Sequence, residues 1–97
     1  MTTVKDYLIA NKTELDKFTR TIEKVHGKSH PELGEVRQLF LTIQEKAEAE
    51  IFEQADLDTE MLRLKTITAD YTPPADACQA YQKTYGMLKE MDLAYQG

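Results

Sequence analysis

His26 to Leu33, reading HGKSHPEL, sets the chain reversal on which any fold of this sequence is built. Gly27 lacks a Cβ and suits the left-handed backbone that often closes a helix. Ser29 stands three residues before Glu32, the spacing of a capping box, in which hydroxyl and carboxylate each take one free backbone N–H. Pro31 falls in the first turn of the new helix, where its missing N–H is not needed. One helix is therefore expected to end at Val25 and His26, and a second to begin at Pro31, folded back on the first.

Apolar periodicity extends this reading in both directions. Before the turn, Val4, Leu8, Leu15, Phe18, Ile22 and Val25 fall at alternating spacings of four and three, with Asn11 in the gap, and Thr3 with Asp6 forms a second capping box. After it, the stripe runs Leu33, Val36, Phe40, Ile43, Ala47, Glu50, Gln54, Leu57, Met61, Leu64, Thr68 and Tyr71. No glycine or proline lies between Gly34 and Pro73. The Asp pair in Ala55-Asp56-Leu57-Asp58 could cap a new helix, yet the phase passes through it unchanged. The spacing predicts one long helix from Pro31 to Tyr71; a turn at 54–58 is the competing reading. At about 1.5 Å per residue, such a helix would span roughly 60 Å. Thr72-Pro73-Pro74 ends it, because proline disfavours helical geometry in the residue before it. Thr72 or Asp76 is expected to cap a last helix. Its stripe is Cys78, Tyr81, Tyr85, Leu88, Met91 or Asp92, and Tyr95, and Gly86 within it would let a neighbouring helix approach closely.

Ninety-seven residues suit a single domain, 1–97, with a modest core. A formal charge of −5, without a basic block, argues against binding nucleic acid through its phosphates. No apolar run approaches the roughly 20 residues of a membrane span, and the start MTTVKDYLIANK lacks the layout of a signal peptide. A single cysteine fits a reducing cytoplasm.

HGKSHPEL, together with YTPPADAC at Tyr71 to Cys78, resembles the hemerythrin-like di-iron domain of bacterial iron–sulfur cluster repair proteins, which are associated with recovery from nitrosative and oxidative stress. The register around the two motifs covers most of the chain. The resemblance implies an all-α, up-down helical bundle. Aligned outward from HGKSHPEL, the family's first-helix ligand falls on Lys5. Its second-helix histidine and glutamate fall on Glu50 and Gln54. The stretch carrying a further ligand is missing, and the fourth-helix histidine falls one residue past Gly97. No iron ligand is retained in its original type.

The residues themselves offer several candidates. His26 and His30 are metal-ligand types four apart, with Glu32 nearby, but Gly27 and Pro31 take them off one helical face; the plainer reading has their rings capping helix ends and packing on neighbours. Glu50, with Glu53 close by, is a polar interruption of a core-facing stripe. It could hold a metal, or pair with Lys5 as a structural remnant, since buried carboxylates need a partner. Cys78 near a helix start could be a reactive thiol, but no histidine is near it in sequence, and free cysteine is commonly buried. The tyrosine row reads as core.

The expectation is thus an all-α hemerythrin-like bundle without catalytic residues or resident cofactor. It would act as a helical interaction module related to the repair proteins, with a possible protein partner. The long helix further predicts a homodimer, in which two copies bury each other's stripes. The alternative is a residual iron-binding or cluster-repair function, with carboxylates near Glu50 meeting at the dimer centre.

Overall fold

The computed structural model describes residues 3–49 and 57–97. They form four helices: α1 (Val4–His26), α2 (Glu32–Glu48), α3 (Asp58–Ile67) and α4 (Gln79–Gln96). The architecture is an all-α helical bundle. No helix of the described residues is long and apolar enough to cross a membrane.

α1 starts where its capping box places it. The Asp6 N–H donates to the Thr3 hydroxyl at 3.1 Å, and the Thr3 N–H donates back to the Asp6 carboxylate at 3.4 Å. α1 lies between α2 and α4 and runs antiparallel to both. Tyr7, near its start, donates to the Met87 carbonyl midway along α4 at 3.0 Å. Farther along, the Lys83 ammonium of α4 lies 5.3 Å from the centre of the Phe18 ring.

The turn after α1 differs from its expected form. Gly27 is right-handed, with φ −59° and ψ −26°. Glycine is needed there for space: a Cβ would lie 2.3 Å from the Glu23 carbonyl oxygen. The Ser29–Glu32 box does not form. Pro31 is the N-cap of α2, with no side-chain cap, and Glu32 turns instead toward His30 Nδ1 at 3.4 Å. Val25 is 65% exposed, and the core position at this end of α1 goes to the His26 ring, which packs on Tyr81.

The single long helix is not formed. α2 stops at Glu48, and Ala49 is extended, with ψ 141°. α3 folds back along α2, held by Lys46–Glu60 at 2.8 Å and by the paired contacts of Arg63 with Glu35. Residues 35 and 63 would stand about 42 Å apart along one continuous helix. The greatest extent of the whole structure is 38 Å. The stripe nevertheless points inward on both helices: Leu33, Val36, Phe40, Ile43, Ala47, Leu57, Met61, Leu64, Thr68 and Tyr71 are all buried. Each large apolar side chain withdrawn from water in this way contributes about 1.5–3 kcal/mol. The described members of the stripe are covered within one chain.

α3 also ends earlier than Tyr71. Its C-cap is Thr68, and Ala69, Asp70 and Tyr71 follow with φ of 50°, 58° and 61°. On α4, Tyr81, Tyr85, Leu88, Met91, Asp92 and Tyr95 are buried as the stripe requires. Neither Thr72 nor Asp76 caps this helix; Cys78 stands at its N-cap position, with no side-chain cap. Gly86 has nothing within 4 Å of where its Cβ would be, so it marks no close approach.

Candidate functional site

The antiparallel run of α1 and α4 brings the end of one beside the start of the other. His26 is the last residue of α1, and Cys78 is the N-cap of α4. Their side chains meet: His26 Nε2 lies 3.3 Å from Cys78 Sγ. The thiol is exposed, not buried as its place on the stripe suggested.

Tyr81, one turn into α4 and fully buried, forms the floor of this site. The His26 ring lies over it at 5.2 Å between centres, and the His30 ring meets it edge-on at 5.7 Å. Tyr85 continues the stack at 5.1 Å. Such tilted and edge-on aromatic pairs add about 0.5–1.5 kcal/mol each beyond area burial. Burial raises the hydroxyl pKa of both tyrosines, so neither ionises readily.

The second histidine ties the turn to the segment before α4. His30 Nε2 is 3.1 Å from Asp76 Oδ2, and Glu32 approaches Nδ1 from the other side. The Asp76 hydrogen bond, supported by the charges of Asp76 and Glu32, holds the His30 pKa above its usual value against partial desolvation. The same contact lowers the Asp76 carboxyl. His30 therefore fixes the loop that delivers Cys78, while His26 faces the sulfur.

What this arrangement offers chemically is an exposed thiol in contact with an imidazole nitrogen. In the tautomer with its proton on Nδ1, His26 Nε2 can accept a hydrogen bond from the Cys78 thiol. Separation by 52 residues hid the pair from a reading along the chain. A signal was there all the same: a residue ending α1 and one starting α4 become neighbours in any antiparallel α1–α4 packing.

The other candidates fall elsewhere. The plainer reading of His26 and His30, rings packed at a turn, describes their positions. Among the described residues, no group of three or more His, Cys, Asp or Glu side chains is placed to hold a metal ion. Lys5 is exposed on α1, beside a small cavity of about 30 Å³ that it lines with Leu8, Ile9 and Ala47. Glu50, Glu53 and Gln54 lie outside the described residues, and with them the proposed pairing of Lys5. No family model, curated protein or solved structure matches this chain.

Proposed function

We propose that this chain is a helical interaction module without a resident metal, related to the hemerythrin-like domain of the iron–sulfur cluster repair proteins. In this reading it works in the reducing cytoplasm during recovery from oxidative or nitrosative stress. It acts by stoichiometric contact through its Cys78 end, not by turnover. The observation that carries the reading is the 3.3 Å approach of His26 Nε2 to the exposed Cys78 Sγ at the start of α4. The exposed Lys5 at a family ligand position supports the metal-free part, because a cation is a poor neighbour for iron.

The contact would be a mixed disulfide with an oxidised protein partner. The Cys78 thiolate attacks one sulfur of the partner's disulfide. A new S–S bond forms as the old one breaks, and the departing thiolate takes the proton held by His26.

The test is the rate at which Cys78 reacts with the aromatic disulfide 5,5′-dithiobis(2-nitrobenzoate) at neutral pH. An activated thiol should react about tenfold faster than glutathione, and His26→Gln should remove most of that gain. A rate matching glutathione and indifferent to His26→Gln would overturn the thiol reading. Elemental analysis after expression in iron-replete medium checks the metal-free part, which about two irons per chain would refute.

A further inference from the structure

At the far end of α4 from Cys78, a cleft of about 190 Å³ opens between the turn that follows α3 and the last turns of α4. It has room for a molecule displacing roughly six waters, at about 30 Å³ each. We propose that this cleft, lined by Lys65, Asp70, Tyr71, Lys89, Asp92 and Gln96, is a binding site for a small zwitterion bearing one ammonium and one carboxylate, such as an amino acid.

The charges in the cleft argue for such a ligand. Asp92 is 7% exposed, and among the described residues its two oxygens accept from two neutral donors, the Tyr71 hydroxyl at 2.6 Å and the Gln96 amide at 3.0 Å. A nearly buried carboxylate without a counter-charge is costly, and an ammonium group entering the cleft would supply one. Lys65 and Lys89 line the same cleft and are exposed; among the described residues neither makes an ion pair. Two cations and two carboxylates thus share one cavity without neutralising each other at contact distance. A ligand of one sign would face a repelling pair, whereas a zwitterion meets a complement at each end.

The wall on the α3 side is held in an unfavourable backbone. Ala69, Asp70 and Tyr71 are all left-handed, and none is glycine. Left-handed geometry is unfavourable for each of them, because the Cβ comes close to the following carbonyl oxygen. The turn is secured by the Asp70 N–H on the Lys65 carbonyl at 2.8 Å, the Tyr71 N–H on the Thr68 hydroxyl at 3.0 Å and the Thr72 N–H on the Thr68 carbonyl at 2.9 Å. Its result is to bring the Tyr71 hydroxyl onto Asp92 and to leave the Asp70 side chain at the cleft. Strained backbone of this kind is over-represented at ligand clamps. The inference is independent of the thiol site, which lies at the other end of α4.

The experiment is a two-dimensional amide NMR titration of the full chain with glycine, β-alanine and 4-aminobutanoate, beside acetate and methylammonium as single-charge probes. At least one zwitterion should give saturable shifts at Asp70, Tyr71 and the Lys89–Leu93 amides, with affinity about tenfold above either single-charge probe. Lys65→Ala and Lys89→Ala, both at exposed positions and so harmless to folding, should each weaken binding about fivefold, the loss of one ion pair. The proposal fails if no zwitterion saturates, if acetate or methylammonium binds equally well, or if both lysine variants bind unchanged.

Discussion

Arg37 of α2 reaches across to α1, where one of its nitrogens donates to the Asp16 carbonyl at 2.7 Å and the Thr19 hydroxyl at 2.8 Å and lies 2.9 Å from the Asp16 carboxylate as an ion pair. Thr19 is completely buried and also donates to the Leu15 carbonyl. Asp16 feels some desolvation, but its contacts with Arg37 and Arg20 outweigh this and keep its carboxyl below the usual range. Removing Arg37 would leave a buried hydroxyl short of a partner. Arg37→Ala should destabilise the fold by about 1.5–3 kcal/mol, the range for hydrogen bonds to charged groups. Urea denaturation of wild type and variant measures the difference, and a loss below about 0.5 kcal/mol, typical of an ordinary surface change, would contradict the bridging role.

Tyr71→Phe tests another buried polar contact. The variant keeps the ring in the core and removes only the hydroxyl that donates to Asp92 at 2.6 Å. Burial, then Asp92, raise the tyrosine pKa far above its usual value, so the hydroxyl is always protonated and always a donor. The expected loss is about 1.5–3 kcal/mol, because the acceptor is a carboxylate. Equal midpoints of unfolding for Tyr71→Phe and wild type would show that Asp92 does not depend on this bond.

The His30 contacts make stability depend on pH with a definite sign. The folded-state pKa of His30 is raised, so its contribution is fully present below the unfolded value and is lost as pH rises through the folded one. Asp76 is lowered, so its share is present above the unfolded carboxylate value and is lost as pH falls through the folded one. With ordinary values of about 3.9 and 6.5, the stabilising window is centred near pH 5. Wild type should therefore exceed His30→Gln in stability most clearly near pH 5, with the gap closing as pH rises through the folded-state pKa of His30. A gap that widens with rising pH would reverse the assignment. NMR titration of His30 gives a direct second reading.

Two glycines should respond in opposite directions to alanine. At Gly27 the backbone is ordinary, but a new Cβ would collide with the Glu23 carbonyl; Gly27→Ala should cost about 1–3 kcal/mol, as overpacking does. Gly86 is in the middle of α4 and faces open space, so Gly86→Ala should stabilise by about 0.4–1 kcal/mol. Thermal unfolding of the two variants settles both signs.

The sequence by itself determined which faces are buried. Alternating spacings of three and four named the buried residues of α2 and α3, and most of those of α1 and α4, because a helix returns the same face to the core every three to four residues whatever lies at its ends. The Thr3–Asp6 box was legible for a similar reason: its partners are three residues apart and need nothing from the rest of the chain. The end of α2 was not legible. Glu48 and Ala49 carry no breaker, and two successive helices can present stripes in the same phase, so periodicity does not distinguish one long rod from a rod folded back on itself. Tertiary structure decided that, because folding back covers both stripes within one chain and lets Lys46 and Arg63 reach Glu60 and Glu35. It likewise decided what Cys78 can do. A thiol takes its character from what touches it, and the imidazole that touches it arrives from the opposite end of the sequence's first helix through packing alone.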